Sequence, residues 1–300
     1  MHPLFMRFLL LLLLSGHSLA QGQGPQIIPF RLTNDNNLVL QAVVNDKDSI
    51  AVMLHTAASG LTLTEEAVSR LKNLHFDGSD DNVTSWSGPA NSARYSKNNR
   101  LSIGGLHWDS IMVWEDMQSG PGTDGKIGLD LFAGKVVELD FDKGVLILYD
   151  TLPAGINDYD KLALRRQGDM LFLEADFYNG RQSFHNALLI HSGYSGALLL
   201  DDAFVTTSNI GPPLKVVSEQ KLTDAYGKTL KVKKAILPGL TIGRQQLGQV
   251  PAGFFEGAIG RQKMSVLGGD ILKRFHVIID AGRTSVYLKP GALINAPYKG

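Results

Sequence analysis

Cysteine is absent from the 300-residue chain. A protein without cysteine has no disulfide bond, no thiol nucleophile and no lipid anchored through a cysteine sulfur. The fold must therefore be held by a hydrophobic core. A content of 44% hydrophobic and 19% charged residues is typical of a globular protein that has such a core.

An excess of charge is also absent, because 29 basic residues balance 29 acidic residues. This balance argues against a general attraction to nucleic acid or to an anionic membrane, so we expect no nucleic-acid partner. The sequence contains no phosphate-binding loop, no metal-ligand spacing and no Ser-His-Asp order. We therefore predict no cofactor and no resident metal.

Long hydrophobic runs are scarce. The apolar run at residues 8–14 follows the basic Arg7 and precedes the small residues around Ala20. It is too short to span a bilayer and is typical of a secretory signal peptide. We predict a signal peptide at residues 1–20, a mature chain that begins near Gln21, and export to the periplasm or the medium. No later run is long enough for a membrane span.

Internal repetition is the feature that predicts the architecture. Three short segments recur in the same order about 140 residues later: 101–104 (LSIG) as 240–243 (LTIG), 128–131 (GLDL) as 268–272 (GGDIL), and 137–140 (VELD) as 277–280 (VIID). Chance matching explains one such pair but not three in register. The chain is therefore predicted to be an internal duplication.

Both halves carry strand and turn signals. Residues 38–44 and 171–177 are apolar and β-prone, and turn-forming residues follow each of them. Helical periodicity is confined to short pieces, of which residues 63–74 are the longest, with Thr64 as N-cap. We predict a mainly β fold with two pseudo-symmetric lobes, residues 21–152 and 169–300, joined by a linker at 153–168. The alternative is a single β-sandwich.

Two six-residue segments, 55–60 (HTAASG) and 191–196 (HSGYSG), each follow an apolar strand in equivalent places of the two halves. With Asp in place of His55 and His191 they would begin Asp-Thr-Ala and Asp-Ser-Gly. The arrangement resembles the pepsin-like and retropepsin-like aspartic peptidases, in particular their bacterial exported aspartyl-protease-like branch. The resemblance covers nearly the whole mature chain. It implies two acid-protease-type β-barrel lobes with a cleft between them.

The resemblance places His55 and His191 where the family has its catalytic aspartates. That family uses two carboxylates that share one proton and hold one water. Two imidazoles cannot reproduce this state, because the pair carries zero or positive charge.

The remaining positions of the two segments are partly kept. The resemblance implies that the hydroxyls of Thr56 and Ser192 crosslink the two loops. Gly193 matches the family glycine, whereas its counterpart is Ala57, whose methyl group we expect to hinder the tight turn. The supporting serines of the two loops are Ser59 and Ser195.

The family also has a hairpin flap over its cleft. The aromatic residues nearest the expected hairpins are Trp86 and Tyr95 in the first half and Tyr226 in the second. These three are flap candidates, with simple packing as the alternative.

Three functions remain open at this stage. The first is a non-catalytic protein that binds a peptide or another extended ligand in the cleft. The second is a hydrolase that uses the His55–His191 pair directly or through a bound metal. The third is a purely structural module of the cell envelope.

Overall fold

The computed structural model describes residues 24–85, 88–210, 214–223, 229–255 and 262–299. Over these residues the chain is mainly β and forms two closed six-stranded barrels, which confirms the predicted fold class. The predicted signal peptide lies outside the described residues. None of the described helices has the length and apolar character needed to cross a bilayer.

The first half provides one barrel. Its elements are β1 (Gln26–Pro29), β2 (Arg31–Leu32), β3 (Leu38–Val44), β4 (Asp48–Leu54), β5 (Leu61–Thr64), α1 (Glu65–Arg70), β6 (Gly78–Ser85), β7 (Gly88–Ile103), β8 (Leu106–Asp116), β9 (Gly125–Ile127), a 3-10 helix (Leu129–Phe132), β10 (Val136–Asp140) and β11 (Val145–Tyr149).

The second half repeats this order. Its elements are a 3-10 helix (Ile156–Asp158), β12 (Asp160–Ala163), β13 (Arg165–Gln167), β14 (Met170–Tyr178), β15 (Ser183–His191), β16 (Leu198–Leu199), α2 (Asp202–Ser208), β17 (Val216–Thr223), β18 (Thr229–Ile242), β19 (Gln245–Phe254), β20 (Ser265–Gly268), α3 (Gly269–Leu272), β21 (Phe275–Ile279) and β22 (Ser285–Pro290).

The two barrels close through the same strand order. In the first, neighbours run β3-β4-β9-β5-β8-β7, and pairing of β3 with β7 closes the ring. In the second, they run β14-β15-β20-β16-β19-β18, and β14 pairs with β18. Each strand of one ring therefore has a counterpart in the other, as the sequence duplication predicts. The single-sandwich alternative is wrong.

A third sheet joins the halves. Its order is β1-β11-β10-β21-β22-β12, so each half contributes three strands and the halves meet where β10 pairs with β21. Val137 lies opposite Ile279, and Leu139 lies opposite Val277. The segment predicted as a linker, residues 153–168, contains a 3-10 helix together with β12 and β13, and it is thereby built into two sheets.

Buried and exposed side chains alternate along the barrel strands, and the buried ones fill the barrel interiors. In β3 the side chains of Leu40, Ala42 and Val44 are buried, whereas Gln41 between them is exposed. This period of two places every second side chain inside a closed barrel. The main cluster of buried apolar residues extends through both halves.

The short helices follow local chain signals. Thr64 caps α1 by accepting a hydrogen bond from Ala67 N, as predicted, but the helix ends at Arg70 rather than continuing to residue 74. The reason is a competing anchor, because the Asp48 carboxylate accepts hydrogen bonds from the backbone and side chain of Asn73. The helix α2 was not predicted. Asp201 caps it, and its three final hydroxyl residues bond to carbonyls four residues earlier.

Candidate functional site

The two histidine loops lie at equivalent strand ends. His55 follows β4 directly, and its backbone N–H donates to the carbonyl of Ile127 at the end of the parallel neighbour β9. His191 is the last residue of β15 and lies opposite Gly268 of the parallel neighbour β20. The carboxyl ends of two equivalent strands therefore present the two histidines to each other.

The two imidazole rings are in contact. Their centroids lie 4.4 Å apart, and the ring planes meet at 60° in an edge-to-face arrangement. The histidine of one half thus contacts the histidine of the other. Both rings are half-buried.

The hydroxyls of Thr56 and Ser192 lock the loops together. Thr56 N donates to Ser192 Oγ and Ser192 N donates to Thr56 Oγ1, each at 3.0 Å. Each hydroxyl also donates across the junction at 2.6 Å, from Thr56 to the Ile190 carbonyl and from Ser192 to the Leu54 carbonyl. Both side chains are buried, so these four bonds satisfy their polar atoms and fix the relative position of the loops.

The turns that follow the histidines are alike. Ala58 N donates to the His55 carbonyl and Tyr194 N donates to the His191 carbonyl, both at 3.1 Å. The methyl group of Ala57 therefore does not prevent the turn, and that expectation is wrong. The glycine of the other loop has a different role, since a Cβ atom on Gly193 would lie 2.3 Å from His55 Cδ2. Gly193 makes room for the ring of His55.

The two supporting serines differ in their contacts. Ser59 Oγ donates to the carboxylate of Asp169, which belongs to the second half. The backbone carbonyl of Ser195 accepts a hydrogen bond from the side chain of Asn36, which belongs to the first half. Both positions thus tie one half to the other, although through different groups.

Burial keeps both histidines neutral. It lowers the pKa of His191 to about 4, and the positive charge of Lys126 acts in the same direction. The pKa of His55 is also well below its ordinary value, first because of burial, then because of His191 and Lys126. At pH 7 the site is therefore a pair of neutral imidazoles.

Hydrogen bonding distinguishes the ring nitrogens. His55 Nδ1 accepts from Ala57 N at 3.3 Å, which assigns the ring proton of neutral His55 to Nε2. His191 Nδ1 is buried without a partner. Among the described residues, no carboxylate bonds to either ring and none contributes to the pKa shift of either histidine.

Lys126 is the residue that the sequence reasoning missed. It lies on β9 opposite Met53 of the parallel strand β4, and its ammonium pairs with the carboxylate of Asp116. Aligning the two halves would have found it, because the equivalent position in β20 carries the apolar Val266. One half therefore places a charge beside the histidines where the other half has none.

A cavity of about 210 Å³ opens between the halves beside the first loop. Ala58 and Asp130 line it from the first half, and Arg166, Asp169 and Arg283 line it from the second. The four charged side chains already have protein partners. Asp130 accepts from Gly60 N, Asp169 accepts from Ser59 and Arg166, and Arg283 donates to backbone carbonyls.

Of the three flap candidates, the structure describes Tyr95. Trp86 and Tyr226 lie outside the described residues. Tyr95 lies on β7, where its ring packs against Trp114 at 5.3 Å and covers Gly78 of the paired strand β6. Tyr95 therefore packs between its two neighbouring strands, β6 and β8.

One described cluster has the donor set of a metal site, and it is remote from the histidine loops. Glu138 and Asp140 on β10 and His276 on β21 bring their ligand atoms within 4.8 Å of one another. Tyr149 already donates to Glu138, and Lys143 donates to Asp140 through both its backbone and its ammonium. The cluster is thus satisfied as a hydrogen-bonded network of the third sheet.

Comparison with known proteins adds no assignment, because neither a protein-family model nor a curated protein matches this chain.

Proposed function

We propose that this protein is a non-catalytic relative of the pepsin-like and retropepsin-like aspartic peptidases. In this proposal it is exported and binds a peptide or another extended ligand in the cleft between its two barrels. The observation that carries the proposal is the edge-to-face contact of two neutral histidines between crosslinked loops. The hydroxyl crosslink that the resemblance implies is present, whereas histidines occupy the positions that it assigns to the catalytic carboxylates.

Hydrolysis by the pair itself is disfavoured by its hydrogen bonds. A histidine base is normally held by a group that accepts its second ring proton and stabilises the imidazolium. The described residues provide no such acceptor for either ring, and His55 Nδ1 instead accepts from the backbone. Within the described part of the chain, Lys126 is the charged group that acts on both rings, and it would repel an imidazolium formed here.

A metal held by the two histidines is also disfavoured. Stable zinc sites in proteins have at least three protein ligands, and catalytic sites add water to three. The described residues offer His55 and His191 but no third ligand group within reach, and the positive charge of Lys126 opposes a cation.

The test uses the mature chain, residues 21–300, and a mixture of random-sequence octapeptides. Peptides that co-elute with the protein in size-exclusion chromatography are identified by mass spectrometry, and the mixture is also checked for cleavage from pH 3.5 to 8. We expect retention without cleavage. The Gly193→Val variant should lose retention, because its side chain takes the space of the His55 ring.

The control is His185→Asn, which replaces an exposed histidine on β15 outside the site and should retain the same peptides. Unfolding temperatures establish that each variant is folded. Cleavage that disappears in His55→Ala would overturn the proposal in favour of the hydrolase. Cleavage that also requires added zinc would favour the metal-dependent alternative. Absence of both retention and cleavage would favour a structural module.

A further inference from the structure

The position of Lys126 follows from strand register. Because Met53 lies opposite Lys126 in a parallel pair, their side chains point to the same face of the sheet. His55 comes two residues after Met53 and continues that face beyond the end of β4. Lys126 therefore stands beside the histidine pair, and its side chain is mostly buried.

The charged and titratable groups around the histidine pair come from four strands and the loop after His191. His55 follows β4, His191 ends β15, and Lys126 comes from β9. Asp116, at the end of β8, reaches this set only through its ion pair with Lys126. Tyr194, which follows His191, stays protonated because burial raises its pKa far above neutrality.

Lys126 places a positive charge near the rings. It lowers the pKa of both histidines, although its ammonium is paired with the Asp116 carboxylate. Neither Nε2 atom has a hydrogen-bond partner among the described residues. A site with unpaired imidazole nitrogens next to a cation is complementary to an anionic oxygen.

We propose that the part of the ligand that contacts the His55–His191 pair is a carboxylate, and that the pair takes up one proton from solvent when the carboxylate binds. This inference rests on the proposed function. The proton converts one imidazole to an imidazolium, which then donates to the carboxylate. A second proton is opposed by like-charge repulsion between rings whose centroids lie 4.4 Å apart.

The carboxylate has two sources in a peptide, the chain terminus and the side chains of Asp and Glu. The test therefore uses four octapeptide mixtures: with a free or an amidated C-terminus, and with or without Asp and Glu. Retention is measured at pH 5.5 and 7.5. We expect peptides with a carboxylate to be retained more strongly at pH 5.5, and the amidated mixture without acids to be retained weakly at both values.

Proton uptake is measured directly on one retained peptide by calorimetry in two buffers of different ionisation enthalpy. Uptake of about one proton should accompany binding near pH 6, and the dissociation constant should rise close to tenfold for each pH unit in that range. Equal retention of acidic and neutral mixtures without proton uptake would overturn this inference and leave the proposed function standing. Retention of no mixture would overturn both.

The role of Lys126 is tested with the same peptide. Lys126→Met should weaken binding by about five- to tenfold, whereas Lys126→Arg should largely restore it. The matched control is Lys143→Met, which removes a lysine paired with Asp140 in the third sheet and should leave binding unchanged. An equal loss in the two methionine variants, with both folded, would contradict the assignment of Lys126 to the site.

Discussion

Acidification from pH 7 to 5 should destabilise this protein through the histidine pair. Burial lowers the pKa of His191 to about 4 in the folded chain, whereas the unfolded chain has the ordinary value of about 6.5. Between these values the unfolded chain binds more protons, so the free energy of unfolding rises with pH there. This stability is complete above about pH 6.5 and is lost as the pH falls toward about 4.

The magnitude follows from linkage. A histidine that stays neutral in the folded chain lowers the free energy of unfolding by about 1.4 kcal/mol for each pH unit below 6.5, or by roughly 2 kcal/mol at pH 5. The pKa of His55 is also lowered, so the two histidines together should reduce the free energy of unfolding at pH 5 by at least this amount. The window above pH 5 is chosen because Asp140, Asp160 and Asp280, whose pKa values are lowered, change stability mainly at lower pH.

The assay is urea unfolding followed by tryptophan fluorescence at pH 7 and 5, for the wild type and for His55→Asn with His191→Asn. The double variant should show a smaller difference between the two pH values, by about 2 kcal/mol or more. His185→Asn is the control of opposite sign. The hydrogen bond to Asp176 raises the pKa of His185 in the folded chain. Protonation of His185 therefore stabilises the fold below about pH 6.5, and this stabilisation is lost as the pH rises through the raised pKa. An equal pH difference in the wild type and the double variant would refute the reasoning.

Three further predictions concern the loops. The double variant His55→Asp with His191→Asp should show weak peptidase activity toward casein at pH 3 to 5. Adding Ala57→Gly should change this activity little, because the two turns are already alike. A large gain of activity in the triple variant would contradict this. Ser192→Ala should lower the free energy of unfolding by about 1–3 kcal/mol in urea titrations, because Thr56 N loses its buried acceptor; an unchanged midpoint would show that the crosslink is dispensable. Gly193→Ala should shift the NMR signals of the His55 ring, since the new methyl group overlaps it; unchanged signals would contradict the described packing.

The duplication made most of the fold predictable. Repeated segments predicted the number of lobes, and apolar, β-prone runs followed by turn residues located strands such as residues 38–44 with their observed bounds. The end of α1 was missed because its cause is a contact distant in sequence, the bond between Asp48 and Asn73. Local signals cannot report such a contact. The helix α2 was missed because its Thr-Thr-Ser ending has low helix propensity.

The site was predictable in position but not in electrostatics. The equivalent loops located His55 and His191, and the structure brings their rings into contact. The turn at Ala57 was judged from one residue alone, whereas the crosslink between Thr56 and Ser192 holds both loops in place. Lys126 was overlooked because it lies about 70 residues from the first histidine in sequence and becomes its neighbour only through strand pairing.

The sheet shared by the two halves has a consequence for how this chain is made. The pairing of β10 with β21 joins residues about 140 positions apart, so β10 emerges from the ribosome long before its partner. Until then it presents an open strand edge, which is a template for wrong pairing between nascent chains. Glu138 and Asp140 place two carboxylates on one face of that strand. Charged side chains on an exposed strand disfavour its pairing with another chain, so we expect these two carboxylates to limit aggregation before β21 is made.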